Sequence, residues 1–293
     1  MSEPQRVGFV GLGAMGEPMA RSLRRANIPV AAIVHRRREP LERLLEDGVT
    51  EAGDGAALAA QSDVVIFCLP DSPQVEESLF GPSGVAAGLR PGSIVIDMST
   101  LSPVASKSFA SRLAALDVAF VDAPVSGGPM RAASGTLTIM VGASPQDFAR
   151  VEPLLRAMGT PYHLGPVGMG ETVKLVNQVI VANVMIANAE ALTFAKRAGA
   201  DLDAARKVIA TSTGSNYILE QWLPKTWLAG TFEGGFALDL LRKDVAAALD
   251  AARSMAHPMP ASALAYQLYT ARSAEGDGAL DYSAIAKSYE RTP

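Results

Sequence analysis

Lys174 is followed at helical spacing by Asn177 and Gln178, within the run Gly170-Glu171-Thr172-Val173-Lys174-Leu175-Val176-Asn177-Gln178. On a helix, Gly170, Lys174, Asn177, Gln178 and Val181 share one face. The neighbours Leu175, Val176, Val179, Ile180, Val184, Met185 and Ile186 are apolar nearly all round, the pattern of a buried helix. A buried amine is costly unless it is paired or functional, so Lys174 is a candidate proton carrier. The competing reading is a lysine that snorkels to the surface near the helix start. A second stretch, Asp122-Ala123-Pro124-Val125-Ser126-Gly127-Gly128, directly follows a strand-like run. The Ser126 hydroxyl with the backbone N–H groups of Gly127 and Gly128 could cradle an anion such as a substrate carboxylate. Read more plainly, Ser-Gly-Gly is a flexible turn.

The third stretch runs from Val7 to Gly16, where an apolar strand enters Gly11-Leu12-Gly13-Ala14-Met15-Gly16 and a helix pattern (Met15, Met19, Ala20, Leu23) follows. In a nucleotide-binding βαβ unit Gly11 permits the tight turn and Gly13 lets backbone approach a pyrophosphate. Gly16 lets helix and strand pack closely, with the diphosphate on the helix N-terminus. The strand before and the helix after make this more than a Gly-rich turn. An NAD-preferring site carries Asp or Glu at the end of the second strand. Here that strand ends Val34-His35-Arg36-Arg37-Arg38, with no acid before Glu39. A carboxylate would repel a 2′-phosphate, whereas guanidinium groups hold one with paired hydrogen bonds. Arg36, then Arg37, are therefore candidates for NADP, with NAD still possible; the alternative is a solvated basic turn.

Other chemistries lack support. The three histidines, His35, His163 and His257, show no metal-ligand spacing, so no metal is expected. Pro124-Val125-Ser126-Gly127-Gly128 is not the G-x-S-x-G elbow of a serine hydrolase. Cys68, the single cysteine, lies in an apolar strand and reads as inert core in a reducing compartment. A net charge of −4 makes no case for nucleic acid or an anionic membrane. The 293 residues, 48% hydrophobic and 19% charged, suit a compact chain of about two domains. The polar start, Met1 to Arg6, reads as no secretory signal. The longest apolar region, Val173 to Ala195, is interrupted by Lys174, Asn177, Gln178, Asn183, Asn188 and Glu190 and reads as too polar for a bilayer. A soluble cytoplasmic protein is expected.

The elements that would position these groups alternate. Candidate strands are Val7–Val10, Val30–Val34, Val64–Leu69, Ile94–Asp97 and Ala119–Val121, with a further run at Leu137–Val141. Between them lie helices, several opened by Ser-Pro: Ser72-Pro73, Ser102-Pro103 and Ser144-Pro145. Continuous apolar strands alternating with helices argue for a doubly wound parallel sheet, an α/β Rossmann-type nucleotide-binding domain over residues 1–164. From Val167 to Gly199 the pattern is one long helix, ending in Lys196, Arg197 and a Gly199 cap. Asp201 then opens another helix, and residues 165–293 read as an all-α substrate and oligomerisation domain, joined to the first by the long helix. Met, Val and Ala along that helix suggest a neighbouring subunit, hence a homodimer or homotetramer.

Together these stretches resemble the β-hydroxyacid dehydrogenase family, which includes 3-hydroxyisobutyrate dehydrogenase and tartronate semialdehyde reductase. The resemblance covers nearly the whole chain. It rests on Gly8 to Gly16, Asp97-Met98-Ser99-Thr100, Asp122 to Gly128, Lys174 to Gln178, Lys243-Asp244 and the tail Leu280-Asp281-Tyr282-Ser283-Ala284-Ile285. It implies a reversible, nicotinamide-dependent oxidation of a small 3-hydroxy acid to its semialdehyde. Lys174 matches the general acid/base; Ser126, Gly127 and Gly128 match a carboxylate-binding loop; Asn177 matches a polar partner on the same helix. Thr100 and the Leu69-Pro70 loop match cofactor contacts, with Lys243 near the cofactor and Asp244 near the site mouth. A lysine at its reference value of about 10.4 is a poor base at neutral pH, so the mechanism asks for burial. The chain departs from the pattern at Gln178, expected at the substrate, where several members carry Asn, and at His35, expected at the cofactor, where they often carry Asp or Asn. Asn177-Gln178 looks more like the tartronate semialdehyde reductases. Substrate choice is expected to involve Asn216, Tyr217, Trp222 and Phe236. Two rivals are an imine reductase-like enzyme, against which Lys174 counts, and a catalytically silent nucleotide-binding module, which would be expected to lose Lys174 or Ser126.

Overall fold

The computed structural model describes residues 5–34 and 37–290. His35 and Arg36, two of the expected cofactor contacts, lie outside the described residues. The chain divides into two compact units, Met1–Lys174 and Leu175–Pro293.

The first unit is built on one sheet. Its strands are β1 (Val7–Val10), β2 (Val30–Ala32), β3 (Thr50–Glu51), β4 (Val64–Phe67), β5 (Ile94–Asp97), β6 (Ala119–Asp122), β7 (Val125–Ser126), β8 (Leu137–Gly142) and β9 (Gly159–Gly165). They lie in the order β3-β2-β1-β4-β5-β6-β8-β7, with β9 also paired to β8. From β3 to β6 every pairing is parallel, as expected. Beyond β6 the sheet departs from the expected parallel arrangement: β8 runs antiparallel to both β6 and β7. The strands alternate sides by the two-residue pleat. Val7, Phe9, Val64, Ile66, Ile94, Ile96 and Val121 face one core, while Val65, Phe67, Val95 and Phe120 face the other.

Helices cover both faces. On one side lie α1 (Gly16–Arg25), α2 (Glu39–Glu46) and α7 (Pro145–Arg156); on the other lie α3 (Gly55–Ala60), α4 (Ser72–Phe80) and α5 (Pro103–Ala114). A short α6 (Gly128–Ser134) packs on α1, where Ser22 Oγ donates to the Ala132 carbonyl at 2.9 Å. Ser102 and Ser144 cap α5 and α7 as their Ser-Pro pairs predict. At α4 the cap is Asp71 in place of Ser72, its carboxylate accepting from Ser72 N at 2.7 Å. An ionised acceptor one residue earlier outcompetes the hydroxyl.

The long helix α8 (Met169–Arg197) begins in the first unit and continues into the second. By length and composition it could cross a membrane, which corrects the expectation that its polar residues make it too hydrophilic. Within the second unit its Ala182, Met185, Ala189 and Leu192 belong to the buried core. That core is completed by α9 (Leu202–Ala210), α10 (Leu238–Ser254), α11 (Pro260–Arg272), single-turn helices between Ile218 and Ala229, and the tail up to α12 (Lys287–Glu290). Asp201 caps α9, accepting from Ala204 N at 2.9 Å.

Candidate active site

The glycine turn leaves β1 with Gly11 at φ +100°. A Cβ at Gly11 would strike the Cys68 carbonyl, and one at Gly16 would strike the Gly11 carbonyl. The chain's own packing therefore demands glycine at both positions. At Gly13 no heavy atom lies within 4 Å of where a Cβ would stand. Nothing inside the protein requires glycine there, and the open backbone fits the approach of a diphosphate. Leu12 and Met15 pack on the core, while Gly13 and Ala14 are exposed. Of the arginine turn, Arg38 is paired with Glu51 at 2.8 Å and Arg37 is exposed beside it.

Two further loops leave the carboxyl ends of β4 and β5, and one buried acid ties them together. Asp97 ends β5 and its Oδ1 accepts from Ser99 N at 2.9 Å. Ser99 Oγ in turn accepts from Leu69 N at 2.9 Å. The Leu69-Pro70 loop and Thr100 are thus held beside each other on adjacent strand ends. Cys68 lies just past β4, and burial, with the Asp97 carboxylate, pushes its thiol up to about 12. It stays protonated at neutral pH, as befits core and not a nucleophile.

Asp122 does the same for the catalytic candidates. It ends β6, fully buried, and accepts from Gly168 N at 2.7 Å and Glu171 N at 2.9 Å. These donors belong to the start of α8, whose first N–H groups have no partner within the helix. Burial pushes the Asp122 carboxyl up from its usual range, and the backbone donors pull against that. Lys174 follows one turn along α8 and is only 6% exposed, so the snorkelling alternative does not hold. Glu171, in the first turn, is buried as well. Four residues after Asp122, Ser126 ends β7, paired with Thr138 of β8. Gly127 (φ +135°) then turns the chain into α6. Ser126-Gly127-Gly128 is a defined strand-to-helix corner and not a loose turn.

In the second unit four side chains form one polar chain. Asn177 Nδ2 donates to Gln178 Oε1 at 2.9 Å, and Gln178 Nε2 donates to Asp244 Oδ2 at 2.7 Å. Lys243 Nζ stands 3.0 Å from Asp244 Oδ1. Both amides are thereby oriented, and Gln178 and Asp244 are buried. The four residues expected to govern substrate choice fall into separate groups. Trp222 stacks on Tyr282 with centroids 5.7 Å apart, and Phe236 meets the same ring edge-on at 6.2 Å. Asn216 exchanges hydrogen bonds with Asn188, and Tyr217 is exposed.

Comparison with known proteins accounts for both units. Residues 6–170 match the family described as the NAD-binding domain of 6-phosphogluconate dehydrogenase, and residues 168–289 match the NAD-binding domain of NADP-dependent 3-hydroxyisobutyrate dehydrogenase. The chain belongs to the β-hydroxyacid dehydrogenase family. It is 38% identical to 2-hydroxy-3-oxopropionate reductase of Escherichia coli, covering 97% of each chain. It is 36% identical to 2-(hydroxymethyl)glutarate dehydrogenase of Eubacterium barkeri, covering 99% of this chain and 97% of that one. Among solved structures, 3-hydroxyisobutyrate dehydrogenase of Mycobacterium tuberculosis with L-serine superposes with a TM-score of 0.91 at 29% identity, covering 98% of this chain and all of the other. Members of this family are nicotinamide-dependent dehydrogenases and reductases acting on hydroxyl groups, and this chain is one of them.

Sequence reasoning quoted Asp97, Asp122 and Glu171 within their motifs but gave none of them a role. The available signal was an acid closing an otherwise apolar strand, in Ile94-Val95-Ile96-Asp97 and Ala119-Phe120-Val121-Asp122. In this β-hydroxyacid dehydrogenase, Asp122→Asn keeps one acceptor but turns an amide N–H₂ toward a buried backbone donor. We expect a loss of about 1–3 kcal/mol in urea unfolding, with reduced turnover. The folded protein holds the Asp122 proton more tightly than the unfolded chain does. Wild-type stability should therefore fall as pH rises from the ordinary carboxylate range through the raised Asp122 value, and the variant should lack that slope. Parallel stability–pH curves for the two proteins would contradict the assignment.

Proposed function

We propose that this enzyme interconverts a small 3-hydroxy acid and its semialdehyde, with NADP preferred and Lys174 as the general acid/base. The observation that carries the reading is a buried lysine one turn into α8, whose start is capped by the acid that also leads into Ser126-Gly127-Gly128. When bound, the nicotinamide supplies or accepts the hydride. Ser126 Oγ and the N–H groups of Gly127 and Gly128 receive the substrate carboxylate. Lys174 Nζ gives a proton to the carbonyl oxygen in reduction and recovers it in alcohol oxidation. Asn177 and Gln178 are assigned to the substrate, with Asp244 setting the Gln178 amide through its 2.7 Å hydrogen bond. Gly11 to Gly16, Leu69, Pro70, Thr100 and Lys243 are assigned to the cofactor. Similarity to 2-hydroxy-3-oxopropionate reductase and to 3-hydroxyisobutyrate dehydrogenases supports a substrate of this size and charge.

The NADP preference is supported by a second-strand turn that carries Arg36 and Arg37 with no acid before Glu39. A cytoplasmic setting is supported by the single cysteine, which excludes an internal disulfide framework and fits a reducing compartment. A homodimer or homotetramer is supported by an exposed apolar stripe on α8, where Val173, Ile180 and Phe194 are 37%, 57% and 75% exposed. With the exposed Ala187 between them these residues recur every seventh position, a spacing that suits helix-to-helix packing.

Absorbance-monitored oxidation of NADPH and NADH against small semialdehydes and glyoxylate tests the reaction. We expect one semialdehyde to be reduced preferentially with NADPH; no turnover of any, by protein that binds NADPH, would refute the class. Lys174→Ala should lower turnover by about 10²–10⁴-fold while fluorescence titration still shows NADPH binding. Near-normal activity in that variant would remove the lysine from its role. Replacing Arg36 and Arg37 by Ser should raise the KM for NADPH by about tenfold and leave that for NADH nearly unchanged. Ile180→Glu with Phe194→Glu should shift the light-scattering mass to that of a monomer, and an unchanged oligomer would exclude this face.

A further inference from the structure

We infer that Arg131 is a specificity residue that selects substrates carrying a second carboxylate. The inference rests on the reading of Ser126-Gly127-Gly128 as the cradle for the first carboxylate. Arg131 lies in α6, just past the Gly127 corner. Helical side chains point back toward the helix N-terminus, so a residue at this position reaches over the corner itself. It does so here: a Cβ built on Gly127 would stand 2.5 Å from Arg131 Cδ, 2.7 Å from its Cβ and 3.1 Å from its Cγ. The aliphatic stem lies on the Gly127 backbone, and the guanidinium begins one bond beyond Cδ.

The position is fixed by packing, since Ala132 and Ala133, the two residues that follow Arg131, accept from Ser22 and Arg25 of α1. The charge, by contrast, is uncommitted. Arg38, Arg43, Arg90 and Arg112 each meet a carboxylate. Among the described residues no carboxylate pairs with Arg131, which is exposed. A rigid, planar fork of donors carried beside a carboxylate cradle suits a second carboxylate bound through paired hydrogen bonds. The corresponding substrate is a 3-hydroxy acid in which a group on C2 ends in a carboxylate, in place of the methyl of 3-hydroxyisobutyrate.

Two unreactive ligands separate this from a general role in anion binding. Isobutyrate and methylsuccinate share one branched carboxylate core, and methylsuccinate carries the extra carboxylate. Both would be titrated by calorimetry into the NADP-loaded full-length protein and its Arg131→Gln and Ser126→Ala variants. We expect wild type to bind methylsuccinate about tenfold more tightly than isobutyrate. Arg131→Gln should abolish that preference while leaving isobutyrate affinity unchanged, and added salt should shrink it in wild type only. No preference in wild type, whether both ligands bind alike or neither binds, would overturn the inference, as would an equal loss of both in Arg131→Gln. Ser126→Ala should weaken both ligands. If it weakens neither while the Arg131→Gln effect persists, the cradle reading falls and the Arg131 assignment stands.

Discussion

A buried carboxylate joining a strand end to a helix start is the interaction on which this architecture turns. Asp122 loses its hydration at the end of β6, a cost of several kcal/mol for an isolated ion. The offset comes from the N-terminus of α8, where unpaired N–H groups and the positive end of the helix dipole face the acid. The fit is close on every side. A Cβ on Gly142 or on Gly170 would stand within 3 Å of an Asp122 oxygen, so neither neighbour tolerates a side chain. Lys174 inherits its position from this junction, because one rigid helical turn separates it from the capped end.

The same device recurs at Asp97 with a different output. There the acid accepts from the chain two residues on, and the Ser99 hydroxyl passes the constraint to the neighbouring strand's loop. Parallel sheets gather loops at their carboxyl edge, but loops alone are mobile. Buried acids at the strand ends convert that edge into fixed ground. In the second unit Gln178 plays the equivalent part: the amide takes one bond from Asn177 and gives one to Asp244, which fixes the orientation of three polar side chains together.

The central strands, their parallel pairing and the glycine turn were legible because buried strands advertise themselves as short apolar runs flanked by turn residues. The strands that escaped lack that signal. Thr50–Glu51 and Val125–Ser126 are two residues each, and Gly159–Gly165 is largely exposed and contains Pro161. Each is recruited by pairing with a neighbour, a tertiary effect that local pattern does not encode. The choice between a buried and a snorkelling Lys174 was likewise open in the residues alone. It is decided by the Asp122 junction, made by a residue 49 positions before Glu171. Arg131 escaped for a related reason: an arginine after Ser-Gly-Gly has no meaning until α6 turns its stem back over Gly127.

Helix α8 shows why composition misjudges such elements. Its start carries buried Glu171 and Lys174, its middle buries Ala182, Met185, Ala189 and Leu192 in the second unit's core, and another face leaves Ile180 and Phe194 in the open. An amphipathic surface helix needs one apolar stripe, and a helix with two apolar faces reads as apolar throughout. That double burden is what gives α8 the composition of a membrane span. At its capped end Asp122 satisfies the backbone, and the buried Glu171 and Lys174 there precede Ala182, the first of its fully buried residues in the second unit's core. The catalytic candidate and the core-forming face can therefore share one element without competing for the same stretch of it.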